Sequence, residues 1–219
     1  MTAPSENSTT IRALIIDYAE VFSFAPTPED IARMAGALDC DPERFRRLYD
    51  ASRAPYDRGD VEPEVYWQRL ASQTGMRLEP RAIEKLRQWD IEMWGRLNRP
   101  MLVWLEQLRP AGFKTAILSN MPLDMASYVR RNFAWLGHFD RHIFSAEVRQ
   151  VKPDPEIYQT CLQALGSEPS ETLFIDDRDL NLEVAAAAGI RGLRFQSVEQ
   201  LHRDLQSMSF PVLPPQCKI

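Results

Sequence analysis

Cysteine is scarce in this sequence, and what there is forms no recognisable framework. The 219 residues include three cysteines, Cys40, Cys161 and Cys217, which are odd in number and far apart. Small secreted proteins carry an even number of closely set cysteines, and zinc sites carry closely spaced ligand pairs. These cysteines therefore predict neither a disulfide framework nor a zinc site.

Positive charge and long apolar runs are also scarce. The chain has 26 lysines and arginines against 31 aspartates and glutamates, a formal net charge of −5, whereas nucleic-acid-binding domains usually carry a basic surplus. No apolar run approaches the roughly 18 residues of a membrane span. The first ten residues lack the basic start and apolar core of a secretory signal. We expect a cytoplasmic protein with no nucleic-acid partner and no membrane span.

Glycine-rich phosphate loops are missing too. The nine glycines include no G-x-G pair and no G-K-[ST] sequence, which excludes the usual dinucleotide-binding and P-loop motifs. A receiver domain of two-component signalling has an aspartate, an acidic pair and a lysine. Its acidic pair lies at the first strand, however, whereas Asp176 and Asp177 come late in a chain that is far too long for such a domain.

The chain does contain short apolar runs that alternate with helix-like segments. Three strong runs and two weaker ones are candidate strands, at residues 11–17, 113–120, 171–177, 142–146 and 190–195. Runs of this length, rich in isoleucine and leucine, suit parallel strands that are buried on both faces. The helix-like segments are residues 101–109, 123–132, 155–165 and 181–188. This alternation predicts an α/β fold with a doubly wound parallel sheet, a Rossmann-type core.

The segment from residue 22 to residue 99 breaks the alternation. It has no strand-like run, and its apolar residues recur at helical spacing. Four prolines with an acidic neighbour mark four helix starts, at Pro28, Pro42, Pro63 and Pro80. We therefore predict a small all-helical cap domain at residues 22–99, inserted into a core domain formed by residues 1–21 and 100–219.

Polar residues follow the candidate strands at the places where a parallel sheet binds ligands, beyond its carboxyl ends. They are Asp17, Ser119, Asn120, Lys152, Asp176 and Asp177. Each alone has an ordinary explanation as a helix cap or a surface residue. Together, the three carboxylates cannot all stay ionised without compensation, and one lysine offsets only one of them. Mg²⁺ prefers oxygen ligands, so the set indicates a magnesium site able to handle a phosphoryl group.

Four motifs along the chain resemble those of the haloacid dehalogenase superfamily, and the resemblance covers nearly the whole sequence. They are residues 17–21 (DYAEV), Ser119, Lys152 within VKPDPEIY, and residues 175–190 (IDDRDLNLEVAAAAGI). The helical insertion after the first motif is similar to the cap domain of that family. Residues 56–61 (YDRGDV) resemble a cap segment of the branch that contains sugar-phosphate phosphatases and the N-terminal domain of soluble epoxide hydrolase.

The resemblance implies a Mg²⁺-dependent phosphatase that acts on a small phosphorylated substrate through an aspartyl-phosphate intermediate. It assigns Asp17 as the nucleophile and a metal ligand, Lys152 as the group that offsets its charge, and Ser119 as a catalytic contact to phosphate. The other implied roles are metal ligation by the Ala19 carbonyl, Asp177 and, through water, Asp176, and phosphate binding by Ser119 and Asn120.

Ala19 departs from the family pattern. In family phosphatases, an aspartate at this position protonates the leaving oxygen and later activates water, and such groups contribute about 10²- to 10⁴-fold. Three interpretations stay open: a phosphatase whose substrate has a good leaving group, a haloacid dehalogenase, and a catalytically impaired protein that binds a phosphorylated ligand or partner. The resemblance implies that a dehalogenase of this family would have a metal-free site with tyrosine in place of Ala19. Asp176 and Asp177 argue instead for a metal.

Glu20 is a conceivable replacement for the missing acid. Side chains alternate in an extended backbone, which predicts that Glu20 faces away from the metal.

Substrate choice is expected to lie in the cap. Arg53, Tyr56 and Arg58 are candidates for holding an anionic or hydroxylated substrate, and Asp90 is expected to pair with Arg87 or Arg96. The expected partner is a small phosphorylated substrate, bound by a monomer or a homodimer.

Overall fold

A five-stranded parallel sheet forms the centre of the structure, a computed structural model that describes residues 10–216. Cys217 lies outside the described residues. The strands are β1 (Ala13–Ile16), β2 (Lys114–Ser119), β3 (Arg141–Phe144), β4 (Thr172–Asp176) and β5 (Arg191–Arg194). Their spatial order is β3-β2-β1-β4-β5, with every neighbouring pair parallel. The order reverses at β1, which confirms the predicted doubly wound sheet.

Ten α-helices lie in the described part of the chain. They are α1 (Pro28–Ala37), α2 (Pro42–Asp57), α3 (Pro63–Ser72), α4 (Pro80–Met93), α5 (Arg99–Leu108), α6 (Leu123–Asn132), α7 (Ser145–Val148), α8 (Pro155–Leu165), α9 (Asp179–Ala187) and α10 (Val198–Ser207). The longest, α2, has 16 residues. None of the helices between residues 10 and 216 has both the length and the apolar character needed to cross a bilayer.

Side chains of the sheet alternate between two apolar cores, because successive residues of a strand point to opposite faces. Leu14 and Ile16 of β1 pack in one cluster with residues of α5, α6 and α10. Ala13 and Ile15 pack in the other with residues of α8 and α9. Every residue of β1 and β4 is buried, so the sheet is a rigid support for the residues at its carboxyl edge.

The four inserted helices begin where the prolines predicted. Helices α1 to α4 start at Pro28, Pro42, Pro63 and Pro80, positions where proline has no amide hydrogen to lose and its φ angle suits a helix. The Thr27 side chain caps α1. Together, α1 to α4 enclose a separate apolar cluster that includes Phe45, Trp67 and Leu86.

The two chain segments that join the insertion to the sheet domain run side by side. Ser23 and Leu97 form an antiparallel bridge, and the amide of Asn98 donates to the carbonyl of Phe22 at 2.8 Å. These contacts bring the two ends of the insertion together near β1. The limits of 22 and 99 for the cap domain stay a prediction.

Candidate active site

The predicted site residues of the core meet at the carboxyl edge of the sheet. Asp17 directly follows β1, Ser119 ends β2 and Asp176 ends β4. The Asp17 amide extends the parallel ladder by donating to the Ile175 carbonyl at 3.0 Å. Because β2, β1 and β4 are neighbours in the sheet, residues that are more than 150 positions apart in sequence become adjacent.

Lys152 joins two of these aspartates from the loop between α7 and α8. Its Nζ lies 2.8 Å from Asp17 Oδ1 and 2.7 Å from Asp176 Oδ2, and all three side chains are almost wholly buried. Burial by itself lowers the pKa of the Lys152 ammonium, but the two carboxylates reverse that effect and raise it above its ordinary value. Lys152 is therefore a fixed positive charge.

Asn120 positions that lysine through its backbone. The Asn120 side chain donates to the Lys152 carbonyl and accepts from the Lys152 amide, each at 2.8 Å. This pair of bonds joins the end of β2 to the lysine loop. The Asn120 side chain thus has a structural partner in addition to the phosphate-binding role implied by the resemblance.

Asp176 is the most engaged of the three carboxylates. Besides Lys152, it accepts hydrogen bonds from the Asn181 side chain at 2.9 and 3.1 Å and from the Arg178 amide at 2.9 Å. Asp17 differs, because the Tyr18 amide and Lys152 both bind its Oδ1. Oδ2 of Asp17 receives no hydrogen bond from any residue that the structure describes.

The hydroxyl of Ser119 is buried and lacks a hydrogen-bond partner among residues 10–216. It lines a cleft of about 520 Å³ between the sheet edge and the helical insertion, together with Asp17, Asn120, Lys152 and Asp177. A buried hydroxyl without a partner is costly, so this group is suited to donate a hydrogen bond to a ligand oxygen in the cleft.

The backbone around Ala19 corrects the expectation for Glu20. Residues 18–22 form a turn rather than extended backbone, and Glu20 has a left-handed φ of 59°. Both Ala19 and Glu20 line the cleft, and the charge of Glu20 helps to raise the pKa of Asp177. The alternation rule failed because it holds only within a strand, and β1 ends at Ile16.

The three cap candidates lie in different places. Arg53 lines the cleft, but its Nε binds Asp57 Oδ1 and its Nη1 binds Asp90 Oδ2, each at 2.8 Å. Tyr56 lines a separate cavity, where its hydroxyl donates to Asp124. Arg58 binds Asp154 at 2.9 Å. Tyr56 and Arg58 therefore join the insertion to the sheet domain, and neither lines the cleft.

Asp90 is paired, but with different partners from those expected. Its Oδ1 accepts a 2.6 Å hydrogen bond from the Tyr49 hydroxyl, and its Oδ2 binds Arg53. Arg87 and Arg96 were expected because they lie close to Asp90 in sequence. Arg53 instead reaches Asp90 from a different helix, α2.

Two residues at this site were missed by the sequence reasoning. Asp57 lines the cleft from the end of α2. Ser145, which is fully buried, donates to the Asp57 carbonyl at 2.6 Å and accepts from the Met121 amide at 2.9 Å. Ser145 directly follows β3, but the weak apolar run at residues 142–146 gave little signal for it.

A family model described as haloacid dehalogenase-like hydrolase matches residues 64–189, more than half of the chain. The chain belongs to this family. The assignment confirms the resemblance to the haloacid dehalogenase superfamily and makes the chain a member of a hydrolase family. The matched range includes Ser119, Lys152 and the fourth motif up to Gly189, and it begins after the first motif.

Similar proteins include both larger and comparable chains. The bifunctional epoxide hydrolase 2 of Sus scrofa is 34% identical over 131 residues, 55% of this chain and 23% of that protein. This hydrolase therefore spans less than a quarter of the length of that relative. The sesquiterpene phosphatase astK of Aspergillus oryzae is 30% identical over 139 residues, 63% of this chain and 69% of the relative.

A solved structure of similar fold is an HAD family enzyme of Bacteroides thetaiotaomicron in complex with magnesium and inorganic phosphate. It has a TM-score of 0.70 and 22% identity, and the match covers 85% of this hydrolase and 94% of that chain. At this identity the similarity establishes the fold alone. Curated relatives of this hydrolase include a haloacid dehalogenase as well as phosphatases.

The carboxylates of this hydrolase fit a magnesium ion. Oxygens of Asp17, Asp176 and Asp177 lie within 4.8 Å of one another. Burial raises the pKa of Asp17 to about 7 against the opposing charge of Lys152, and the two other aspartates add to the rise. Burial, Asp176 and Glu20 raise the pKa of Asp177 to about 6. A hard divalent cation would relieve this repulsion, and Asp17 and Asp177 have the oxygens that are less engaged.

Proposed function

We propose that this hydrolase is a Mg²⁺-dependent phosphatase that acts on a small phosphorylated metabolite through an aspartyl-phosphate intermediate. One arrangement carries the proposal: three carboxylates, a buried lysine and a serine hydroxyl without a partner surround one end of the cleft. This set offers a nucleophile, a cation site and a donor to phosphate oxygens.

In this proposal Asp17 is the nucleophile, since its Oδ2 is free while Oδ1 is held by Lys152 and the Tyr18 amide. Attack by Oδ2 on phosphorus displaces the leaving oxygen, and water then releases phosphate from Asp17. The Ser119 hydroxyl donates to a phosphate oxygen, and Lys152 offsets the negative charge that accumulates beside Asp17. Asp176, bound by Asn181 and Lys152, keeps that lysine in place.

Magnesium would be held by Asp17, Asp177 and the backbone carbonyl of Ala19, with Asp176 acting through water. When bound, the ion would neutralise phosphate oxygens and orient the phosphoryl group. The sequence departure at position 19 leaves this role intact, because the backbone carbonyl is present whatever the side chain.

Ala19 favours one competing function: a protein that binds a phosphorylated ligand without turnover, because a methyl group cannot donate a proton. A haloacid dehalogenase is a second alternative, supported by the dehalogenases among the similar proteins. The cluster of Asp17, Asp176 and Asp177 makes it the weaker one, since halide displacement by an aspartate needs no cation.

The decisive experiment measures phosphate release from p-nitrophenyl phosphate, acetyl phosphate and a panel of sugar phosphates, with Mg²⁺ and with a chelator. We expect Mg²⁺-dependent release that Asp17→Asn lowers by about 10³-fold or more, as loss of a nucleophile does in other hydrolases. Asp50→Asn is the matched control, because Asp50 lines the same cleft outside the ion cluster.

A thermal unfolding series tests the metal separately from turnover. A ligand present at about 100 times its Kd stabilises the native state by about 2.7 kcal/mol. Mg²⁺ should therefore raise the unfolding midpoint of the wild type and of Asp50→Asn but not of Asp177→Asn. Phosphate binding without release of product would favour the binding protein, and chloride release from a 2-chloro acid would favour the dehalogenase.

A further inference from the structure

The absence of an acid at position 19 raises the question of which group protonates the leaving oxygen. The attacking and leaving oxygens of phosphoryl transfer lie roughly in line across phosphorus. Under the proposed function, on which this inference rests, Asp17 attacks from the sheet edge. The leaving oxygen therefore departs away from the sheet edge. The residues that line the cleft from the helical insertion include Tyr49, Arg53 and Asp57.

Asp57 is a buried carboxyl group among them. It is the last residue of α2 and is only 6% exposed. The Ser145 hydroxyl bonds both the Asp57 carbonyl and the Met121 amide. Because Met121 lies two residues after Ser119, this hydroxyl ties the backbone of Asp57 to the loop that carries the proposed phosphate donor.

The carboxyl group of Asp57 is oriented, with one oxygen held and the other available. Arg53 Nε donates to Oδ1 at 2.8 Å, and Arg53 is itself fixed by Asp90. Oδ2 of Asp57 receives no hydrogen bond from any residue between 10 and 216. An acid that is held through one oxygen while the other accepts no hydrogen bond has an oxygen available for proton transfer.

The surroundings of Asp57 favour its protonated form. Burial is the main cause that raises the pKa of Asp57 to about 6; Arg53 opposes the rise, and Asp90 and Asp124 add to it. The position also contributes, because the carbonyl end of a helix disfavours negative charge. A carboxyl group with its pKa near the working pH is an effective general acid and base.

Apart from Asp17 and Asp177 of the proposed ion site, two other carboxylates line the cleft, and both are less suitable. Glu20 is exposed and lies on the sheet side, close enough to Asp177 to affect its pKa. Asp50 is on the cap wall but is exposed to solvent. Of the acidic residues described in this cleft outside the ion cluster, Asp57 is the one that is buried and held by a partner.

We propose that Asp57, a residue of the helical insertion, is the general acid and base that replaces the group absent at position 19. As the bond from Asp17 Oδ2 to phosphorus forms, the bond from phosphorus to the leaving oxygen breaks, and that oxygen takes the proton of Asp57. In the second step the Asp57 carboxylate takes a proton from water as the water oxygen bonds to phosphorus. The bond between phosphorus and Asp17 then breaks, which releases phosphate and restores both aspartates.

The test compares two esters that differ in their need for protonation. Glycerol 2-phosphate has a poor alkoxide leaving group, whereas p-nitrophenyl phosphate has a good one. Asp57→Asn should lower kcat/KM for the first ester by about 10²- to 10⁴-fold and for the second by only a few-fold. Asp50→Asn and Glu20→Gln should leave the ratio of the two kcat/KM values unchanged. Asp57→Glu keeps an acid and should retain most of the kcat/KM for glycerol 2-phosphate.

The substrate ratio separates chemistry from folding, since a misfolded fraction lowers both activities alike. An unchanged ratio in Asp57→Asn, an equal loss in Asp57→Asn and Asp57→Glu, or a selective loss in Glu20→Gln would each overturn the role of Asp57 while leaving the phosphatase in place. Hydrolysis of neither ester by the wild type with Mg²⁺ would overturn the proposed function, and this inference with it.

Discussion

Two cations in this hydrolase, the buried Lys152 and the partly buried Arg53, are each held between two aspartates, and the surroundings of the two differ. Lys152 in the core lies between Asp17 and Asp176. Arg53 in the helical insertion lies between Asp57 and Asp90. Each cluster has more negative than positive charge, but the core cluster has a third carboxylate, at Asp177, beside a serine without a partner.

The difference lies in what each cation connects. Lys152 is a compact point charge on a loop, and it joins the ends of β1 and β4 beside the proposed cation site. Arg53 presents a planar fork of donors, which joins Asp57 on its own helix to Asp90 on α4. The guanidinium carbon of Arg53 lies over the rings of Tyr49 and Tyr56, 4.8 and 5.1 Å from the ring centroids. The comparison shows that the same charge pattern joins two strand ends in one place and two helices in the other.

Replacing Lys152 should have the largest effect. Lys152→Met keeps the length of the side chain but leaves Asp17 and Asp176 buried without their cation. We expect a loss of about 3–5 kcal/mol in the free energy of unfolding and a fall of about 10²- to 10³-fold in kcat/KM, as when one electrostatic donor is removed. Denaturant titration and steady-state kinetics measure these effects. Full activity in this variant would mean that Lys152 serves only the fold.

Replacing Arg53 should lower stability and leave the proposed Mg²⁺ site intact. Arg53→Met removes the link between α2 and α4 and leaves two buried carboxylates, so we expect a loss of about 3 kcal/mol in the free energy of unfolding, at the lower end for a broken buried pair. The carboxylates can lower the cost by taking up protons. Mg²⁺ should still raise the unfolding midpoint of this variant. Loss of Mg²⁺ stabilisation would show that the two clusters are coupled, contrary to the distinction drawn above.

The smallest effect is expected from Tyr49→Phe. This change removes the 2.6 Å hydrogen bond to Asp90 Oδ1 while it keeps the aromatic ring beside Arg53. A hydrogen bond to a charged group contributes about 1.5–3 kcal/mol, and we expect a loss near the lower value because Arg53 still binds Asp90. Tyr128→Phe is a control, since Tyr128 is another tyrosine of the described chain that packs against an aromatic ring. A loss for Tyr49→Phe no larger than that of the control would contradict the estimate.

Much of the site could be predicted because each of its core residues follows a strand. Strand ends are visible in sequence as apolar runs that stop at a polar residue, as at Asp17, Ser119 and Asp176. The carboxyl edge of a parallel sheet then gathers those residues without further information. The helix starts in the insertion were equally visible, because Pro28 and its three counterparts act through local backbone geometry.

The pairing of Asp90 with Arg53 and Tyr49 could not be predicted in the same way. These residues lie on α2 and α4, and which faces of two helices meet depends on how α1 to α4 pack around their shared core. The expectation for Glu20 failed for a related reason, since it assumed extended backbone where the chain turns. Ser145 has a simpler explanation: a single hydroxyl after a weak run gives little signal.

The sequence by itself determined the alternating fold, the helical insertion and the residues at the ends of the strands, since these follow from local periodicity and from the shared direction of parallel strands. Only the tertiary structure decided which residues face the cleft from the insertion. That choice brings Asp57 into the cleft that Asp17 also lines, and it turns Tyr56 and Arg58 toward the sheet domain instead. The physical reason is that contacts between helices depend on the packing of whole surfaces, which no short stretch of sequence encodes.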